Sequence, residues 1–410
     1  MTRRVVVTGM GCLSPIGSDW EEVSKNLREG RSGVSVRPKL AEIDGMETSL
    51  AACLDDFKVP SYYSRKSVRS MGRVSLLATR ATEIALLDAQ LGGSPLLGDG
   101  RMGISYGSSS GSPSAMQIYS KCLTDGTVRG IRPTHYIQFM SHTVPANLSQ
   151  FFGVRGRIIT TCSACTSGSQ GIGFGFEAIQ SGRQDVMICG GAEEFHEANV
   201  AVFDVLFATS TKNDAPRETP SPFDENRDGL VVGEGAATLI LEELEHAKAR
   251  GASIYAEVLA FATNGDGKHI TNPDSDGMRR VMEVALAEGD LQCEKIDYVN
   301  AHGTATEAGD IAESLAMHGL FGNRMPTSSL KSFLGHTLGA CGAIEAWITI
   351  EMMREGWLAP TLNLEVVDPR CGELDYIRDG VRESATEIVM SNNFAFGGIN
   401  TSLIFNRWED

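Results

Sequence analysis

No apolar run in this chain of 410 residues reaches the roughly 20 residues that a membrane-spanning helix needs. The opening stretch, MTRRVVVTG, lacks the apolar core of a secretion signal. Both absences point to a cytoplasmic protein with no membrane partner. Basic residues are in short supply, 36 Lys and Arg against 52 Asp and Glu, for a net charge of −16. That balance excludes a general nucleic-acid binder, whose footprint is a basic surface. An acidic protein docks an acidic partner only through a local basic patch. The nine cysteines are scattered and odd in number, which suits a reducing compartment and not a disulfide framework. No second C-x-x-C or C-x-x-H joins Cys162 and Cys165 to complete a zinc site. The Gly9-x-Gly11 turn lacks the third glycine of a dinucleotide fingerprint, because Ser14 stands there. No low-complexity linker divides the chain.

What is present is apolar residue content of 42% and 45 glycines. That suffices for two or three domains or one large fused unit. Short β-branched runs alternate with amphipathic helical patterns, which predicts an α/β fold. Residues 4–11 read as a buried strand entering a glycine turn, and Trp20–Arg28 as a helix stopped by Gly30. Residues 103–113 read as a strand entering a glycine/serine turn. Residues 185–194 read as a buried strand ending in paired glycines, 223–235 as a turn and then a strand, and 242–250 as a charged helix. A strand from Ile254, a helix over 278–289 and a strand over 296–300 then echo the first half. We expect two similar halves, residues 1–250 and 251–410, packed as one unit.

Residues 157–173, RIITTCSACTSGSQGIG, are the chemical centre. Ile158 to Thr161 read as the end of a buried strand, and Thr166, Ser167 and Gly168 lead into a helix. A cysteine at such a junction lies near unpaired backbone N–H groups and the positive end of the helix dipole. Both favour thiolate, the nucleophilic form. Cys165 is therefore the candidate for covalent catalysis. An inert core cysteine, or half of a redox or metal pair with Cys162, are the competing readings.

Two histidines bear on that choice. His302 follows a short strand and precedes Thr304 and Thr306. His336 sits in a glycine-bounded turn ahead of an apolar helix. Each lies in a glycine/threonine turn of the kind that positions chemistry. Arg65, Arg69 and Arg73 fall at i, i+4 and i+8, one helical stripe with Lys66 beside it, and Arg129 and Arg132 form a second basic cluster. Residues 391–400 read as a glycine-rich loop carrying Phe394 and Phe396.

S-A-C-T-S-G around Cys165, F-D-x-N-R-D-G-x-V-x-G-E-G over 223–235, H-G-T-A-T around His302, K-S-F-L-G-H from Lys331 to His336, and N-N-F-A-F-G-G-I-N near the end stand in that order. With this set the chain resembles the elongating β-ketoacyl-[acyl-carrier-protein] synthases over nearly its whole length. The resemblance implies the thiolase fold, two duplicated α/β halves in five layers (α-β-α-β-α), normally a homodimer. It implies that Cys165 takes an acyl group from an acyl carrier protein, with the N–H groups of Cys165 and Phe396 as oxyanion hole. His302 and His336 would stabilise the enolate formed when a malonyl unit loses carbon dioxide. Lys331 would supply a positive field and hold the second histidine. Glu345 and Asp310 would orient the lysine and neighbouring loops. Thr304, Thr306, Phe396, Ser110 and Phe203 would touch substrate, and Arg65, Lys66, Arg69, Arg73, Arg129 and Arg132 would dock the carrier. No metal or redox cofactor is implied.

The chain departs from the family pattern at Ala395, where a glycine is usual, at Ile399, where a threonine is usual, and at Phe207, where a small or basic residue is common. Ala395 places a Cβ beside the gating Phe396. The alternatives are a specialised polyketide or aryl-polyene ketosynthase working with a chain-length-factor-like subunit, and a non-catalytic partner subunit of the same fold. A thiolase proper would need a second catalytic cysteine, and Cys341 reads as packing.

Overall fold

The structure, a computed structural model, describes residues 2–409. Its first half holds strands β1 (Val5–Leu13), β2 (Met102–Gly107), β3 (Ile158–Thr161), β4 (Val186–Glu193) and β5 (Gly235–Glu243). The second holds β6 (Ala256–Gly265), β7 (Tyr298–Asn300), β8 (Pro326–Ser328), β9 (Asp375–Tyr376), β10 (Ile388–Ala395) and β11 (Ile399–Arg407). They join in one 11-stranded sheet of order β9-β8-β7-β10-β11-β6-β1-β5-β4-β2-β3. The order repeats about the β6–β1 join, where Val5–Val7 run antiparallel to Ala256–Val258. On one side β3, β2 and β4 are parallel, while β5 and β1 are antiparallel to their neighbours. On the other, β8, β7 and β10 are parallel, while β11 and β6 are antiparallel to theirs.

Helices complete five layers. α1 (Arg73–Asp88) and α2 (Thr143–Phe152) cover the outer face of the first half. α3 (Ser167–Gln180) and α6 (Cys341–Glu355) lie between the two halves and touch strands of both. α4 (Ser275–Glu288) covers β6 and β11, with α5 (Glu307–Phe321) beside it. Strands covered on both faces need apolar residues on both, and β1 is buried along its whole length. The middle layer is thin because α3 carries glycines where larger residues would collide. A Cβ on Gly171 would stand 2.4 Å from the Gly190 carbonyl oxygen, and one on Gly173 would stand 2.2 Å from the Phe261 ring. No helix among the described residues is long and apolar enough to cross a membrane.

Several local expectations need correction. The arginine stripe is not one helix: Arg65–Val68 forms a single turn, and α1 starts afresh at Arg73. The paired glycines, Gly190 and Gly191, lie inside β4 and not at its end; Tyr106 crosses over them. β5 starts only at Gly235, so residues 223–234 are loop, and it runs to Glu243, shortening the charged helix to Leu244–Ala249. Residues 391–400 are mostly ladder, with β10 and β11 joined by a tight turn over Phe396, Gly397 and Gly398. Ala395 pairs with Ile399 inside that ladder, so its Cβ sits in ordinary strand geometry and does not restrict the turn. Finally, β3 is the sheet's edge, and Ile158 and Thr160 are exposed in the single chain, not buried.

Candidate active site

The nucleophile candidate sits on a strained turn between β3 and α3. Ala164 has φ +51°, a conformation that costs an alanine energy and recurs where a side chain must be presented sharply. Ser163 and Ala164 carbonyls accept the N–H groups of Thr166 and Ser167 at 3.2 and 3.1 Å, while the Ser167 hydroxyl accepts the Ser163 N–H at 2.9 Å. Cys165 thus arrives buried at the junction of the two halves. Burial pushes its thiol up to about 12, against the pull of Lys331 and of the Phe396 and Cys165 N–H groups. Burial thus opposes the thiolate that the helix start favours.

His336 Nε2 stands 3.0 Å from Cys165 Sγ. The Leu338 N–H donates to His336 Nδ1 at 3.3 Å, so the imidazole proton resides on Nε2, facing the sulfur. His302 is fixed in the same sense. Asn393 Nδ2 donates to the Glu345 carboxylate at 2.8 Å, which orients the amide, and it also faces His302 Nδ1 at 3.4 Å. The two rings meet edge to face, 5.2 Å between centroids. Burial, reinforced by Lys331, holds both histidines well below the ordinary histidine range, so both are neutral N–H donors.

Lys331 is buried and bonds Glu345 at 2.5 Å. Burial opposes its charge, but its neighbours together, Glu345 foremost, leave the lysine above its ordinary pKa. The Lys331 ammonium bonds Glu345 and not His336. His336 is held by backbone, its N–H bonding the Val231 carbonyl at 2.6 Å, and Lys331 acts on it through its field. Glu345 is the ion-pair partner of the lysine. Asp310 gathers the N–H groups of Phe223, Thr304 and Ala305 at 2.7, 3.0 and 3.2 Å, tying the His302 loop to the 223–235 loop. Glu313, unremarked in the sequence, receives the N–H groups of His302 and Gly303 at 2.7 Å each. Glu193 receives those of Ser109 and Gly339 at 2.9 and 3.0 Å, stapling the loop after β2 to the His336 turn.

Over residues 2–247 the sequence matches the family described as "Beta-ketoacyl synthase, N-terminal domain", and over 255–365 its C-terminal counterpart. The chain belongs to the beta-ketoacyl synthase family. It is 37% identical to the 3-oxoacyl-[acyl-carrier-protein] synthase 1 of Haemophilus influenzae, across 99% of this chain and 100% of that one. It superposes with a TM-score of 0.98 on the crystal structure of a beta-ketoacyl synthase from Burkholderia phymatum STM815, at 55% identity over 99% of this chain and 100% of that one. A TM-score of 0.91 relates it to the ishigamide ketosynthase/chain length factor, 31% identical over 100% of both chains.

The site opens into a cavity of about 460 Å³ whose wall includes Cys165, His302, His336, Thr304, Thr306 and Phe396. The two threonine hydroxyls bond each other at 2.8 Å on that wall. Ala305, between them, has φ +64°, so a turn and not an extended chain brings them together. Phe396, 38% exposed, rests its ring on Phe203, 5.4 Å between centroids, and both line the cavity. Ser110 does not: it lies in the turn behind the nucleophile, where its carbonyl accepts the Ser108 hydroxyl. None of the six proposed docking residues lines the cavity. Arg73 is turned inward, its guanidinium on the buried Glu234 carboxylate and the Leu54 carbonyl, each at 2.8 Å. Arg65, Lys66, Arg69, Arg129 and Arg132 are exposed.

The donor atoms of Cys165, His302 and His336 lie within 4.8 Å of one another, a set that could also grip a zinc ion. The buried Lys331 ammonium beside them disfavours a second cation there. Asn393, which sets one tautomer, had a legible signal in its NNFAFGGIN neighbourhood. Glu313 and Glu193 had none short of the fold that brings them under the loops.

Proposed function

We propose that the chain is a condensing acyltransferase, a 3-oxoacyl-[acyl-carrier-protein] synthase. The observation that carries this is the grouping of Cys165, His302 and His336, whose donor atoms lie within 4.8 Å of one another, with each imidazole Nδ1 facing an N–H donor. In the first half-reaction the Cys165 sulfur bonds the acyl carbonyl of a carrier-linked thioester, and the carrier thiol leaves with the proton. The N–H groups of Cys165 and Phe396 receive the oxyanion. A malonyl thioester then enters past Thr304 and Thr306. Its carbonyl accepts hydrogen bonds from His302 and His336 while the carbon–carbon bond to the carboxylate breaks and carbon dioxide departs. The resulting enolate carbon attacks the acyl-cysteine carbonyl, the carbon–sulfur bond breaks, and the 3-oxoacyl product stays on the carrier. Hydrogen bonds stabilise the enolate, so the reaction requires no metal or redox cofactor.

The exposed β3 edge supports pairing with a second subunit, which we take to be another copy of the chain. A related subunit is the second reading, supported by the likeness to a ketosynthase/chain length factor. The halves 1–250 and 251–410 we read as duplicated units meeting at the nucleophile, and nine unpaired cysteines suit a cytoplasmic setting. The test is mass spectrometry of the intact protein after exposure to a panel of acyl carrier proteins. Acyl mass on the Cys165 peptide alone is the expected result. Acylation of Cys162 or of no cysteine would overturn the reading.

A further inference from the structure

Exposed apolar side chains collect where the cavity opens. Leu206, Phe207, Ile270 and Phe396 line it, and the exposed Val202 and Val205 precede Leu206 in the chain. Phe207 is 88% exposed and Ile270 70%. A soluble surface rarely gathers such groups without a partner.

The base under Phe207 is rigid. Its N–H bonds the Asp204 carbonyl at 2.9 Å, and the Ala208 N–H bonds the Phe203 carbonyl at 3.0 Å. The buried Asp204 carboxylate receives the N–H groups of Glu47 and Thr48 and the Thr209 hydroxyl, at 2.9, 3.0 and 2.7 Å. On that base Phe207 holds φ +54°, a conformation a phenylalanine adopts only when its surroundings impose it. A strained, exposed aromatic on a fixed support has the features of an interface anchor.

Charge at the opening points the same way. The cations here are already spoken for: Arg227 by Asp368, Arg370 by Asp368 and Glu307, and Lys268 by Asp274. Asp228 and Asp266 line the cavity outside any ion pair among the described residues, so what this rim offers an acidic partner is apolar surface and not free positive charge.

We propose that the collar of Val205, Leu206, Phe207 and Ile270 is the landing surface for the acyl carrier protein, and that its contact is apolar, anchored by Phe207. The proposal rests on the function given above. The occupant follows from the cavity: a thioester that reaches Cys165 through this opening must leave its protein carrier seated on the rim. The matching carrier surface is an apolar patch beside its phosphopantetheine arm. Arg65, Lys66 and Arg69, away from the cavity wall, then steer the approach, while the collar sets how long the carrier stays.

The test is real-time binding of holo-acyl carrier protein to the full-length protein and to Phe207→Gly. Glycine suits the positive φ, so the variant should melt no lower than the parent. We expect dissociation about tenfold faster, with association and its salt dependence unchanged, the pattern of a lost anchor. Arg65→Glu/Arg69→Glu should do the reverse, slowing association and leaving dissociation alone. Unchanged dissociation from Phe207→Gly would overturn the proposal, as would parental dissociation that quickens steeply with salt. Condensation by the parent protein is scored alongside. If the parent binds through Phe207 but condenses nothing, the surface stands and the functional reading falls. If it condenses while Phe207→Gly binds normally, the reverse holds.

Discussion

In the proposed reaction His302 and His336 act as neutral donors; burial keeps them neutral, and one N–H facing each Nδ1 places the proton on Nε2. Asn393→Asp tests this at the smallest scale. A carboxylate facing His302 Nδ1 would draw the proton there and leave Nε2 bare. Malonyl decarboxylation should fall by about two to three orders of magnitude, the cost of losing one oxyanion donor, and ¹⁵N chemical shifts should report the tautomer. Acylation of Cys165 should survive. Because burial keeps both imidazoles far below the ordinary range, decarboxylation should not decline as pH falls through about 6.5. A drop there would contradict the assignment. Glu193 makes a separate prediction. Burial pushes its carboxyl up to about 7 from 4.5, so the folded chain holds a proton that the unfolded chain has lost. That contribution to stability is complete below about 4.5 and disappears as pH rises through about 7. One Glu193 oxygen takes both N–H groups and the other has no partner, so Glu193→Gln can keep both bonds. Denaturant titrations should show the variant losing on the order of 3 kcal/mol less than the parent between pH 4.5 and 7.

At the scale of elements, the basic stripe shows how a helical period misleads. Four-residue spacing put Arg65, Arg69 and Arg73 on one face, but the chain breaks after one turn, at Gly72 α1 begins anew, and Arg73 serves the core. Arg73→Ala leaves the buried Glu234 carboxylate short of its partner and should cost about 1–3 kcal/mol, seen as a lower denaturation midpoint. Arg65→Glu/Arg69→Glu should leave that midpoint unchanged and raise KM for carrier-bound substrate, most at low salt. Equal loss of stability in both variants would return the stripe to a structural role. The glycine-rich ending was misread for a similar reason. Gly397 and Gly398 mark a turn, but a two-sided ladder around a turn that short has no composition of its own.

For the whole molecule, β3 matters most. It is an open edge with Ile158 exposed, and it runs straight into the nucleophile turn. An unpaired edge invites another strand. We expect a dimer in sedimentation, and Ile158→Lys should shift it toward monomer and lower activity by loosening the Cys165 turn. A monomeric parent with full activity would remove this edge from the mechanism.

The sequence alone determined the α/β class, the repeat from Ile254, and the order of nucleophile, histidines and lysine, because each leaves a local trace: β-branched runs, glycine-bounded turns, short motifs of reactive residues. Only the tertiary structure decided the surroundings that govern protonation at the site. How much water is excluded around Cys165 depends on how the two halves pack, and burial there opposes the thiolate that the helix start favours. Likewise, which nitrogen of each histidine carries the proton depends on Leu338 and Asn393. Leu338 meets its ring from two residues along the same turn, but Asn393 meets His302 from a strand 91 residues away, and no spacing along the chain encodes that contact.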